Sequence, residues 1–218
     1  MKLGSLVYEV VKDAIEFPSG FNKEGFIRGD YDEDRDFNSQ ISFAFNYINL
    51  AFARLLSEKK TLLKYSTAIS DPAGFIPFQS GEITSVFYGN GCDYKYVGHK
   101  PFTNGIVVEG RYVQKQIHIE YRASIPHFSL EDIRSQEIEN GETYYEEVEI
   151  ELSDYGITDE MCSYVKEYAK GGLTEYLSPD LSQKHLQMAE KYFSDLKTIY
   201  TEHPQREIED RLGGGGAW

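Results

Sequence analysis

Residues that announce chemistry are scarce in this chain. It has two cysteines, one tryptophan, three methionines and five histidines in 218 residues. Cys92 and Cys162 stand far apart, with no CxxC and no Cys/His spacing around them. That speaks against a structural zinc site and fits a reducing compartment, with a single disulfide left open. Long hydrophobic runs are missing too: no stretch approaches the ~20 apolar residues of a membrane span. The start, MKLGSLVYEVVKDAI, has one lysine ahead of its apolar residues and acids among them. It does not read as a signal peptide, so a cytosolic product is expected. Positive charge is in deficit, with 22 Lys and Arg against 36 Asp and Glu, a net charge of −14. This argues against wrapping nucleic acid with a basic surface and against an anionic membrane as partner. An acidic wall that DNA slides past remains compatible.

Aromatic residues, by contrast, are plentiful, with 17 Tyr and 13 Phe. Tyrosine buries a ring and keeps a polar tip, which suits interfaces as well as large cores. Helical periodicity opens the chain: Leu3, Leu6, Val7, Val10 and Ala14 recur at spacings of three and four, predicting a helix over about 2–16. Pro18, Gly20, Gly25 and Gly29 mark a loop. A second helix is predicted over about 36–58, with Phe37, Ile41, Ala44, Ile48, Ala51 and Leu55 as its stripe and Phe45, Phe52 and Leu56 widening it. The period then changes. LLKYSTAIS alternates, EITSVFYGNGCDYKYV reads as two strands around Asn90-Gly91, and GIVVEG and KQIHIEYRA read as another pair. A β-rich insertion is therefore expected over about 61–123.

Ser129 and Asp132 form a capping-box pattern. Beyond it, Val148, Ile150 and Leu152 alternate with Glu147, Glu149 and Glu151, predicting an acidic strand over about 143–152. Residues 131–151 hold nine acids and one base, Arg134. Glu142, Glu146, Glu147, Glu149 and Glu151 are thus candidates for a surface kept negative, or for an ordinary solvated face. Helices are predicted over about 158–177, capped by Thr158, and about 179–202, capped by Ser178 with Pro179 in first position. Met161, Val165, Tyr168 and Leu173 line the first, which Gly171-Gly172 should weaken. Leu181, His185, Met188, Tyr192, Leu196 and Ile199 line the second, and Pro204 closes it. Residues 205–218 have little to bury and are expected to be flexible. The fold class is α+β: one domain over 1–204, with a base of two N-terminal and two C-terminal helices, an inserted antiparallel β block, and a disordered C-terminal tail.

Catalytic signatures are few. GNGCDYKYVG and RLGGGGAW are rich in glycine, but neither has the strand–loop–helix setting of a phosphate-binding loop. His118 and Glu120 share a strand face and could hold a metal or share a proton, though exposed cross-strand pairs are the commoner case. His185 reads as a core or interface histidine. No metal, cofactor or catalytic residue is assigned.

The layout resembles the adaptor proteins (ring, or head-completion proteins) of head-to-tail connectors in short-tailed phages. The segments that carry the resemblance are FNSQISFAFNYINLAFARLLSEK, FIPFQSGEITSVFYGNG, IHIEYRASIP and DEMCSYVKEYAKGGLTEYLSPDLSQKHLQMAEKYFSDL. They are patterns of apolar positions that cover residues 1 to about 200 in layout; the acidic strand departs from the simplest family plan. In its acidic, Tyr-rich character the chain is similar to ring proteins of crAss-like phages. The resemblance implies a structural virion protein, made in the host cytoplasm, that forms a ring, usually a dodecamer, beneath the portal. Such a ring extends the DNA channel and docks the next tail component, with no sequence-specific DNA contact and no membrane. It also implies an arm: Leu212, Gly213, Gly214, Gly215, Gly216, Ala217 and Trp218 would leave the body and anchor on the portal by the tryptophan. The other reading of that end is a cloning scar or a frayed terminus. Another tail or baseplate component, and an enzyme with an unmarked site, are the alternatives for the whole chain.

Overall fold

A computed structural model describes residues 1–14, 21–90, 93–139 and 142–211. It is α+β, and the chain divides into two compact units, residues 1–61 with 125–197, and residues 62–124 with 198–218. The predicted β insertion falls in the second unit.

The first unit is built on helices. In α1 (Leu3–Ala14) the predicted stripe is buried, joined by Val11. In α3 (Arg35–Ser57) Asp34 caps the start through its carboxylate, which accepts from the amides of Asp36 and Phe37. All eight buried residues of α3 belong to the predicted stripe and its widening. Between them the glycine-marked loop contains a short helix that the sequence reading does not include, α2 (Lys23–Arg28). Asn22 caps it by accepting from the Gly25 amide at 2.8 Å, and Gly29 ends it in the left-handed region, φ 76°. Gly29 is therefore a helix stop rather than a loop hinge. Phe26 and Ile27 of α2 are buried. Phe26 joins Tyr8, Phe21, Tyr31 and Phe37 in an aromatic cluster whose centroids lie 5.1–6.5 Å apart.

After the capping-box turn at Leu130–Asp132, strands β8 (Arg134–Glu139) and β9 (Glu142–Glu147) pair only with each other, from Arg134↔Glu147 to Glu139↔Glu142. The predicted acidic strand ends earlier than its alternation suggests. From Val148 onward the chain lies against the N-terminus instead: Leu3 donates to the Ile150 carbonyl at 2.9 Å and Leu152 to the Met1 carbonyl at 3.1 Å. Leu152 opens a 3-10 turn and is fully buried.

Helix α4 (Asp159–Thr174) starts at the predicted cap, Thr158. Gly171 and Gly172 do not break it. They are notches for its neighbours: a Cβ on Gly172 would sit 2.4 Å from the Tyr47 ring of α3, and one on Gly171 would sit 2.7 Å from the Leu186 side chain of α5. Helix α5 spans Pro179–Arg211. Its backbone continues past Pro204, where the sequence reading closes it near residue 202; a proline inside a helix removes one hydrogen bond, a cost of about 3 kcal/mol that a long helix can absorb. Residues 212–218 lie outside the described residues.

The second unit is a pair of antiparallel sheets. One has the order β1-β7-β3-β4, with β1 Leu63–Ile69, β3 Gly81–Asn90, β4 Asp93–Tyr96 and β7 Gln116–Ala123. The other has the order β2-β6-β5, with β2 Phe75–Pro77, β5 His99–Phe102 and β6 Gly105–Val108. Ile76, Ile106 and Val108 of the small sheet pack with Val86, Ile117 and Ile119 of the large one. The predicted hairpin is present, with Asn90 opposite Asp93. The expected pairing of GIVVEG with KQIHIEYRA is not. Phe102 faces Gly105 across a two-residue turn, so β6 is taken locally by β5 and flanked by β2. The longer β7 becomes a central strand between β1 and β3. In β1 the face bearing Tyr65, Thr67 and Ile69 is exposed, and Ser66 and Ala68 lie on the more buried side.

The notch at Gly172 has a measurable consequence. Gly172→Ala should lower unfolding free energy by about 1–3 kcal/mol, the usual range for overpacking. Gly98→Ala, whose added carbon meets nothing within 4 Å, should stay within about 0.5 kcal/mol. Equal denaturation midpoints for the two variants would refute a tight α3–α4 contact.

Candidate functional site

The surface with the strongest signal of function is helical and lies in the first unit. Helix α5 buries Ser182, Ala189, Phe193 and Leu196. Its small residues face α4: the Ser182 hydroxyl donates to the Gly171 carbonyl at 2.7 Å, and the Leu186 side chain enters the Gly171 notch. The predicted stripe is therefore turned by roughly one residue. Leu177 is 70% exposed, Leu181 40% and Met188 46%. This corrects the sequence reading for Leu181 and Met188, while Leu196 of the predicted stripe is buried; at the Gly171 notch the cause is steric, since close helix approach selects the small Ser182 there. His185 falls near the edge, its Nδ1 2.7 Å from Glu167 Oε2. Glu167 also meets Lys170 at 3.4 Å, and Lys170 reaches Asp13 of α1 at 2.6 Å. Burial opposes the Lys170 charge, yet Asp13 and Glu167 outweigh it and raise its pKa.

Helix α3 adds a second outward face. Phe43 is 57% exposed and Leu50 54%, and Ser39, Ser42, Asn46 and Ala53 are exposed around them. The seventeen residues between Asp36 and Arg54 carry no charge. That run was legible in the sequence as a missing charge, a signal the stripe of buried residues hides.

Arg54 joins α3 to α5. It forms a two-armed pair with Glu190, one arm at 3.0 Å, and stacks 4.1 Å over the Phe193 ring. The pairing raises the Arg54 pKa and lowers that of Glu190. Neighbouring Tyr164 is pushed up to about 12 by burial, and so is the Cys162 thiol, which is free and buried. A thiol held protonated there is not a nucleophile.

The acidic candidates divide. Glu147 is ion-paired with Lys23 at 2.5 Å, Glu149 with Lys2, and Glu151 stands 3.9 Å from the Met1 amino group. Lys2 holds Glu149 below the usual carboxylate range. These cations come from the start of the chain, so the local count of nine acids against one base overstates the bare charge. Arg134, the single base of the run, is buried. It binds Asp32 through two nitrogens at 3.0 and 2.7 Å and stacks 4.3 Å over Tyr145. Glu146 is exposed on the β8–β9 ribbon, with Glu137 and Glu139, and Glu142 opens β9 opposite Glu139. Ile138 and Tyr144 are exposed on the same ribbon.

Charge is also divided between the units. Residues 62–124 hold six basic and five acidic side chains, whereas 1–61 with 125–197 hold fourteen basic and twenty-seven acidic. On the large sheet of the second unit, His118 and Glu120 share a strand face as expected, but they are not an exposed pair, because Glu120 is buried. His118 lies 3.2 Å from the Thr67 hydroxyl and 3.2 Å from the Gly89 carbonyl. Glu120, only 2% exposed, accepts from Tyr65 at 3.0 Å and Thr84 at 2.7 Å. These bonds tie neighbouring strands together. No group of three or more His, Cys, Asp or Glu able to hold a metal occurs among the described residues. A groove of about 670 Å³ beside the Thr103–Asn104 turn is lined by Phe78, Glu82, His99 and Phe102 among others. Among the described residues no helix is long and apolar enough to cross a membrane.

The Arg54–Glu190 pair predicts a pH dependence with a definite sign. Because the Glu190 pKa is lowered on folding, its stabilisation is complete above the ordinary carboxylate pKa. It fades as pH falls through the lowered value. The pair is largely exposed on its Glu190 side, so Glu190→Gln should cost about 0.5–1 kcal/mol at neutral pH. In denaturant titrations the gap between wild type and variant should close below about pH 4. A gap that widens in acid would contradict the pairing. Glu142, Glu146, Glu147, Glu149 and Glu151 are placed as described above, and the arm Leu212–Trp218 lies outside the described residues. No protein-family model matches the chain, and no curated protein matches it.

Proposed function

We propose that the chain is a structural assembly protein of a tailed phage, a subunit of an adaptor ring between portal and tail. The observation that carries this reading is the pair of outward apolar helix faces on one unit, Phe43 and Leu50 on α3 and Leu181 and Met188 on α5, with Leu177 exposed in the turn before it. Exposed apolar side chains grouped on a regular element mark contact with another protein. The layout resemblance supplies the class of partner. In this reading the helices form the ring wall, and the ribbon with Glu137, Glu139, Glu142 and Glu146 sets a negative border that keeps DNA phosphates from sticking. Glu147, Glu149 and Glu151, engaged with cations of the same chain, contribute less to that border. The residues 62–124, near charge balance, can approach an acidic neighbour without repulsion. The segment Leu212–Trp218 acts as a tether whose tryptophan anchors on the portal; a modest anchor repeated around a ring becomes avid. The protein then belongs to the virion.

Co-expression with the portal protein encoded near it, followed by native mass spectrometry of the purified complex, tests this. The expected result is many copies of the chain per portal ring. A bare portal, with this chain free in solution, would move the protein to a more distal part of the tail. Truncation after Arg211 should weaken portal binding by about tenfold or more, given avidity gains of 10²–10⁴. Unchanged affinity would leave the arm without a role.

A further inference from the structure

We propose that the groove beside the Thr103–Asn104 turn receives an extended peptide, which adds to the large sheet as a strand along the first half of β3. The proposal stands on the second unit alone and does not depend on the assembly reading.

Its starting point is a strand paired along one side only. β7 runs beside β3 from Gly81 to Tyr88. On the other side β4 takes Phe87–Asn90, and the Val97 amide adds one bond to the Val86 carbonyl at 2.9 Å. The chain then leaves for β5, in the other sheet. Among the described residues no strand lies beside Gly81–Ser85 on that side. Alternation gives the direction of the free backbone groups. The Ser124 amide donates to the Ser80 carbonyl at 3.0 Å, so Ser80 and Glu82 turn their amides and carbonyls toward β7. Gly81 and Ile83 turn theirs the other way, into the groove of about 670 Å³ that both residues line. These groups repeat every two residues, at about 6.8 Å, which is the repeat along one edge of an extended chain. Main chain is the ligand that matches it. The other open edges of this unit carry features that resist strand addition. β1 has Lys64, β4 has Lys95, β2 is three residues long and ends in Pro77, and β5 has Pro101. The segment GEITS of β3 has neither lysine nor proline.

The groove also specifies the kind of peptide. An antiparallel partner in line with β4 places one residue opposite Gly81, one opposite Glu82 and one opposite Ile83. The first and third share the face of Ile83, which packs with Phe78 against the core between the two sheets. Gly81, lacking a side chain, leaves space there for a larger apolar one. The middle residue shares the face of Glu82, which is exposed and has Arg122 on its β7 side only. A cation at that position meets a carboxylate across the strands. The partner is therefore an extended segment of the pattern apolar–basic–apolar.

Fluorescence anisotropy with the full chain and a labelled pentapeptide, acetyl-Thr-Val-Lys-Val-Thr-amide, tests this. Binding should be saturable. Methylating both valine amide nitrogens removes the donors that meet Gly81 and Ile83 and should weaken binding at least about tenfold. Replacing the lysine of the peptide by glutamate should weaken it about threefold. In the variant Glu82→Lys this preference should reverse, with the glutamate peptide binding better. Ile83→Pro removes an amide that faces the groove and leaves the β7 ladder intact, so it should weaken binding about fivefold. Circular dichroism checks the fold of both variants, and Glu82→Lys, at an exposed position, carries the test should Ile83→Pro unfold. No saturation up to millimolar peptide would overturn the proposal. Equal binding of the N-methylated peptide would also overturn it, because side chains alone would then hold the ligand. A charge preference unchanged in Glu82→Lys would place the peptide away from β3 and sink it as well.

Discussion

The close approach of α4 to its neighbours at Gly171 and Gly172 is the constraint on which the helical unit depends. With no Cβ at either position, the Tyr47 ring of α3 and the Leu186 side chain of α5 enter from two sides. The close approach then dictates what α5 can bury. Ser182 bonds to the Gly171 carbonyl beside the notch, Ala189 is buried a little further along, and Phe193 fits where Arg54 and Tyr164 close over it. Once that face is inward, geometry leaves Leu181 and Met188 outward, since 3.6 residues per turn cannot bring both rows to one side. The exposed stripe is thus a consequence of tight packing elsewhere.

Much of the fold is legible in the residues. Where burial follows side-chain size, periodicity is a good guide: Phe37 to Leu55 in α3 and Leu3 to Ala14 in α1 are buried as the spacing predicts. The start of helix α5 breaks that assumption, because Gly171, which reads as weakness, draws Ser182 inward while Leu181 and Met188 stay exposed; further along, Phe193 and Leu196 are buried by size again. The β unit shows the same split. Ile117 and Ile119 are buried on one face and His118 and Glu120 lie on the other, as alternation requires, but Glu120 is buried there between Tyr65 and Thr84, which alternation does not encode. Strand partners are another matter. That β7 joins β1 and β3 rather than β6 depends on the tight turn at Thr103–Asn104 and on strand length, neither of which alternation encodes.

The acidic run teaches a related point about charge. Counted locally, residues 131–151 look almost bare of compensation. In the fold, Lys2 and Lys23 arrive from the far end of the sequence to meet Glu149 and Glu147, and Arg134 turns inward to Asp32. On the ribbon itself Glu137, Glu139 and Glu146 are exposed to solvent. A two-stranded ribbon gains little stability by itself. Here it is held at its base by Arg134, sandwiched between the Asp32 carboxylate and the Tyr145 ring.

These charge patterns and the apolar faces constrain each other. A unit with twenty-seven acids and fourteen bases repels its own copies through most of its surface. Association of such units needs places where charge has been removed or balanced, and the outer faces of α3 and α5 are such places. Repulsion over the rest of the surface then works as selection: it disfavours misaligned contacts and leaves the uncharged rows as the approach of lowest cost.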